Sequence, residues 1–188
     1  MTSMDRFRAC VISAVIATIF ASATWASPSG EALPPGTELG AETNLPIPRF
    51  VSLKTHQGNV RRGPSLTHRI DWVFKRRDMP LEVTGEFGNW RRVRDRDGAG
   101  GWVHYSLLSG VRTVIVEKDQ LPLLAKPDPR SQVNATAEIG VVARLGECAE
   151  DWCRITAGGY RGWVPKSALW GVDPVEAVEA VEAVEARE

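Results

Sequence analysis

The sequence predicts an all-β protein built from two copies of one small antiparallel unit. Three observations support this. The stretch Asn89–Gly110 recurs about sixty residues later as Asp151–Gly171: Trp90 matches Trp152, Val93 matches Ile155, Gly101-Trp102-Val103 matches Gly162-Trp163-Val164, Leu108 matches Leu169 and Gly110 matches Gly171. A repeat at such a spacing is one structural unit used twice. The apolar segments are short and mostly alternate with polar residues, the period of a half-buried strand. Turn signals punctuate them every eight to twelve residues, which indicates an antiparallel barrel or sandwich.

In the first copy, Phe50-Val51-Ser52-Leu53 alternates and reads as a strand. Asn59–Ser65 begins extended and ends in a turn, Asp71–Phe74 is a strand, and Lys75–Asp78 is a charged turn. Leu81-Glu82-Val83 alternates again before Gly88-Asn89 turns the chain. From Trp90 the two-residue period places Trp90, Arg92 and Arg94 on one face and Arg91 and Val93 on the other. The run Asp97-Gly98-Ala99-Gly100-Gly101 is a hairpin turn, because glycine accepts positive φ without steric penalty. The second copy repeats the layout, with Val114–Val116 as first strand, a turn at Ala125–Pro129, a Cys-bearing hairpin and a Gly turn at Ala157–Tyr160.

The flanks differ from the repeats. Residues 1–26 carry Arg6 and Arg8, an apolar run from Ala9 to Ala21, then small residues suited to cleavage, the layout of an export signal. That run is short for a bilayer span. The mature chain is therefore expected to be soluble and periplasmic or secreted by the general secretory route, with no stable membrane insertion. Residues 27–48 hold Pro28, Pro34, Pro35, Pro46 and Pro48 without apolar periodicity and read as an extended linker. The copies are assigned to 49–111 and 112–172. Residues 173–188 contain Val-Glu-Ala four times over and read as an acidic, marginally helical or disordered tail.

The formal net charge is zero, yet its distribution is uneven. Residues 49–112 carry 13 Lys+Arg against 6 Asp+Glu, residues 113–172 carry 7 of each, and residues 173–188 carry 6 acidic groups and one Arg. The basic first copy is either a solvated surface or a landing site for an anionic partner. The tail is a possible partner for it in the same chain.

Loss of the export signal would remove Cys10 and leave Cys148 and Cys153 flanking a short hairpin loop. An even number of cysteines in an oxidising compartment on facing strands reads as a disulfide. A metal site is the weaker reading, since no histidine lies near. Redox catalysis is weaker still, since there is no helix start to acidify a thiol. His56, His68 and His104 are scattered, with no nucleophile beside them and no carboxylate pair. No enzymatic activity, metal or cofactor is expected. Nucleic acid is not expected either, given export and the few aromatic residues outside the Trp positions.

Each copy resembles a bacterial Src-homology-3 (SH3) domain. The resemblance rests on Trp90 and Trp152 opening the middle strand, the Gly-rich turn, the closing Gly-Trp-Val segments ending at Leu108 and Leu169, and the start Asn-Val-Arg-Arg-Gly-Pro-Ser at Asn59–Ser65. It covers about Arg49–Gly171 and implies two tandem SH3-like, five-strand, half-open barrels. In eukaryotic relatives the opening Trp, a Pro and a Tyr line a groove for proline-rich peptides. Here the Pro survives only as Pro165, with His104 in the first copy, and the Tyr position holds Leu107 and Ala168, so that specificity is not expected. Bacterial members often bind cell-wall peptides or partner proteins, and the resemblance implies such a ligand: a peptidoglycan stem peptide, an anionic envelope component, or an envelope protein served as an adaptor.

The candidate ligand-binding residues are Trp90, Arg92, Arg61, Arg62, Trp102, Tyr105, Trp152, Trp163 and Pro165. Planar guanidinium groups such as those of Arg61, Arg62, Arg92 and Arg94 suit bidentate capture of carboxylates, although plain solvation is the simpler account of them. Trp90 and Trp152 serve either as groove walls or as seals on the open edge of the barrel. Trp102 and Trp163 read first as packing residues. A lone barrel of about sixty residues buries only about 60% of its unfolded surface, so the two copies are expected to pack together.

Overall fold

Short alternating segments can hide their apolar side only by pairing. The computed structural model, which describes residues 37–173, pairs them into two antiparallel sheets of seven segments each. A hairpin of β1 (Glu38–Leu39) and β2 (Pro46–Ile47) precedes them. The first sheet comprises β3 (Arg49–Leu53), β4 (Gly58–Arg61), β5 (Ile70–Phe74), β6 (Pro80–Phe87), β7 (Trp90–Arg94), β8 (Gly100–His104) and β9 (Leu108–Ser109). The second comprises β10 (Thr113–Val116), β11 (Leu121–Leu124), β12 (Val133–Ala137), β13 (Val142–Ala149), β14 (Trp152–Ala157), β15 (Tyr160–Pro165) and β16 (Leu169–Trp170).

The lateral orders are β5-β4-β8-β7-β6-β3-β9 and β12-β11-β15-β14-β13-β10-β16. These are the same order offset by seven, so the repeat extends from residues to pairing. Each sheet exceeds the expected five strands by two. The long connection from β3 to β6 itself folds as the hairpin β4–β5, and that from β10 to β13 as β11–β12. A single 3-10 turn, Tyr105–Leu107 or Lys166–Ala168, leads into the last strand of each copy.

Each sheet wraps its own core. Leu53, Val60, Phe74, Leu81, Val83, Val93 and Val103 fill the first barrel. Val114, Val116, Leu121, Leu123, Ile155, Val164 and Leu169 lead the set that fills the second. The β7–β8 turn is closed by Asp95, whose carboxylate accepts from the amides of Asp97 (3.0 Å) and Ala99 (2.8 Å), while Gly98 takes φ 84°. Gly101 and Gly162 occupy equivalent crossing points. A Cβ on Gly101 would stand 2.7 Å from the Arg61 carbonyl oxygen, and one on Gly162 2.6 Å from Leu123 Cβ.

The barrels meet along the face of β3 and β6 that points away from the first core. All four residues of β10 are buried. Val114 and Val116 enter the second core, and by alternation Thr113 and Ile115 point the other way. Thr113 Oγ1 donates to the Asp78 carbonyl at 2.7 Å. Trp170 meets the Phe50 ring edge-on at 5.1 Å, and the Arg112 guanidinium lies 5.8 Å from the centroid of the same ring. Arg112 also donates to the Gly171 carbonyl (2.8 Å) and pairs with Asp173 (2.7 Å). Burial pushes the Asp173 carboxyl above its usual value, opposed by Arg112 and by a hydrogen bond from the Phe50 amide.

The stretch 37–48 departs from the extended-linker expectation, because it folds onto the first barrel. Its hold is polar. The amides of Glu42 and Thr43 both donate to Glu86 Oε2 at 2.9 Å, Thr43 Oγ1 donates to Oε1 at 2.7 Å, and Arg49 pairs with Oε1 at 2.6 Å. Strands of two residues bury no apolar stripe, so hydropathy carries no sign of them. The predicted export signal and most of the acidic tail lie outside the described residues. Among the described residues no helix is long and apolar enough to cross a membrane.

Candidate functional site

Directly opposed residues on neighbouring strands share a face, so the register assembles the site. Three rows cross the outer face of the first sheet. Phe87, Trp90 and His104 form one. Two residues along, Gly85, Arg92, Trp102, Arg61 and Ile70 form the second. Two further along, Phe50, Glu82, Arg94 and Gly100 form the third. In register, Trp90, Arg92, Trp102 and Arg61 share one face, with an arginine opposite Trp102 on the strand to either side.

The arginines are not equivalent. Arg61 Nη1 donates to the carbonyls of Leu66 (2.9 Å) and His68 (2.7 Å), so it braces the β4–β5 hairpin as well as flanking the ring. Arg62 pairs with Asp71 at 2.9 Å, and the hydrogen bonds from Arg62 and then Arg69 hold the Asp71 carboxyl below its usual range. Arg94 is paired with the mostly buried Glu82, which raises the guanidinium pKa further. Arg92 is exposed, and its guanidinium makes no hydrogen bond or ion pair among the described residues.

Trp90 is only 9% exposed. Its ring meets His104 edge-on at 5.4 Å, and His104 leans on Tyr105 at 4.9 Å. Trp90 thus supports the cluster from beneath, while Tyr105 (51% exposed) and Phe87 (62% exposed) present its accessible surface. The imidazole is fixed by Ser106, whose hydroxyl lies 2.7 Å from His104 Nδ1.

The second barrel carries the equivalent rows with different chemistry. Ala149, Trp152 and Pro165 form the first. Arg154, Trp163, Leu124 and Val133 form the second. The Arg154 guanidinium lies 5.8 Å from the Trp163 ring centroid, a cation–π arrangement, and pairs with Glu147 at 3.0 Å. Leu124 stands where the first barrel has Arg61. The basic bracket around the tryptophan is therefore one-sided here. Cys148 and Cys153 face each other with Cα atoms 4.0 Å apart and form a disulfide that ties β13 to β14 beside this row.

Phe87 and Arg154 escaped the sequence reading. Arg154 was accessible to it, since it follows Trp152 at the same offset at which Arg92 follows Trp90. Phe87 had only its place before the Gly88-Asn89 turn. Among the described residues no group of three or more His, Cys, Asp or Glu side chains is arranged to hold a metal ion.

Two small antiparallel barrels with this strand order define SH3-like domains. The sequence profile of the family described as bacterial SH3 domain matches residues 54–110 and 117–171, more than half of the chain. The chain belongs to that family and holds two of its domains in tandem. Among solved structures it is similar to NlpC1 from Trichomonas vaginalis at 16% identity, covering 70% of this chain and 48% of that one, with a TM-score of 0.32. It is similar to NlpC2 from the same organism at 16% identity, covering 72% and 56%, with a TM-score of 0.31. The chain thus spans about half the length of each. No curated protein matches.

Proposed function

We propose that the chain is a non-catalytic binding module of the bacterial cell envelope. In this reading the outer face of the first barrel takes a carboxylate-bearing ligand, a peptidoglycan stem peptide or another anionic envelope component. The observation that carries it is the Arg92–Trp102–Arg61 row. Arg92 and Arg61 oppose Trp102 in register from the strands on either side, in the more basic of the two domains, and the Arg92 guanidinium has no hydrogen bond or ion pair among the described residues. Guanidinium groups form bidentate hydrogen bonds with carboxylates, and a flanking ring adds apolar contact for the neighbouring atoms. Family membership supports a wall or envelope ligand, and the disulfide is compatible with an exported protein.

The test is co-sedimentation with purified sacculi at low and moderate salt. Retention by the unaltered chain that falls several-fold in Arg92→Ala and Trp102→Ala is the expected result. Absence of retention at both salt concentrations removes the wall ligand. A second reading, an adaptor that binds an envelope protein, is favoured by the exposed Phe87 and Tyr105. A photo-crosslinking residue in place of Tyr105 would distinguish them, since it captures a protein only if the second reading holds.

A further inference from the structure

We infer that residues 174–188 dock on the Arg94, Arg92 and Arg61 face of the first barrel and compete there with anionic ligands. The regulatory part rests on the ligand reading above; the contact itself does not.

The argument starts from where that segment begins. Asp173 belongs by sequence to the end of the second copy, yet its carboxylate is held by Arg112 and by the amide of Phe50 in β3 of the first barrel. Phe50 stands in the same cross-strand row as Glu82 and Arg94, and the next row along the face holds Arg92, Trp102 and Arg61. The segment therefore starts at one margin of the candidate site.

Charge and reach agree with that start. The segment carries Glu176, Glu179, Glu182, Glu185 and Glu188 against Arg187 alone. The first barrel carries the excess of Lys and Arg, whereas the second is balanced. From β6 to β4 the face spans three strand spacings, about 15 Å. The fifteen residues can extend to about 50 Å. The glutamates recur at every third residue, so one can approach Arg94, Arg92 and Arg61 in many registers. Such contact is electrostatic and weakens as salt screens it.

The experiment compares nuclear magnetic resonance spectra of the full chain and of a chain ending at Asp173, with no ligand present. At low salt the expected differences fall on Arg61, Arg92, Arg94 and the Trp102 indole. They should vanish at 1 M salt, where the screening length is about 3 Å. The variant Glu176→Gln/Glu179→Gln/Glu182→Gln/Glu185→Gln should reproduce the truncated spectrum, and truncation should raise retention on sacculi several-fold. Spectra that superimpose across that face, or differences confined to the second barrel, overturn the inference, as do differences that appear only with rising protein concentration. Loss of sacculus binding in both chains would remove the ligand reading while leaving the spectral result standing.

Discussion

Arg92 and Arg61 flank the same ring from opposite strands, but they do different work. Arg61 holds two loop carbonyls, whereas Arg92 holds nothing among the described residues. Replacing Arg92 by Ala should leave the unfolding free energy measured in urea nearly unchanged, within about 0.5 kcal/mol. Replacing Arg61 by Ala should cost about 1–2 kcal/mol, because two carbonyl contacts from a charged donor are lost. Equal effects of the two changes would refute this division of labour. Glu86 is the other residue with a measurable signature. Burial acts to raise its pKa, but hydrogen bonds from Thr43, Arg49 and the amides of Glu42 and Thr43 outweigh that and bring it down to about 2. A depressed carboxylate adds stability above its unfolded value of 4.5, and that stability is lost as the pH falls from there toward about 2. In Glu86→Gln this part of the acid dependence should be missing from pH-resolved denaturation curves.

At the scale of elements, the β13–β14 hairpin and the β1–β2 hairpin show two ways of holding a short structure. The first is closed covalently by Cys148 and Cys153 across a tight loop. In the chain-entropy account so short a loop gives roughly 2 kcal/mol, so Cys148→Ser/Cys153→Ser should lower stability by about that amount. The spectrum of the folded state should stay the same, and a larger loss would mean that the bond also sets the strand register. The β1–β2 hairpin depends on one buried carboxylate. A Cβ on Gly40 would meet that carboxylate, so a larger residue there would have to displace the Glu86 side chain from its hydrogen bonds. Strands with strong alternation and Gly-rich turns were legible in the sequence, as was the pairing of Trp90 with Trp152. The β1–β2 hairpin was not, since its attachment joins Thr43 to Glu86 across 43 residues by hydrogen bonds that leave no periodic mark. The candidate face was half legible. Alternation put Trp90, Arg92 and Arg94 on one side, but only the fold showed that Arg61 lies opposite Trp102 and that His104 meets Trp90 and in turn carries Tyr105.

For the whole molecule, the decisive contact is between the barrels. Ser52 and Pro80 on the first and Thr113 and Ile115 on the second are all buried, although each barrel fills its core with other residues. Unfolding should therefore appear as a single transition by both tryptophan fluorescence and calorimetry. Trp170→Ala removes the ring that packs on Phe50 and should cost about 3 kcal/mol or more, as for a large aromatic taken from a packed site. With that contact weakened, the calorimetric trace should split in two. A trace already split in the unaltered protein would show the barrels to be thermodynamically separate.

The four-residue strand β10 has no solvated side. A polypeptide severed near residue 112 would bare Thr113 and Ile115 in one piece and Ser52 and Pro80 in the other, each adjoining strand edges able to recruit a stranger. Gene rearrangements that carry off one half alone would carry a sticky surface with it, which favours inheritance of the pair as one cassette.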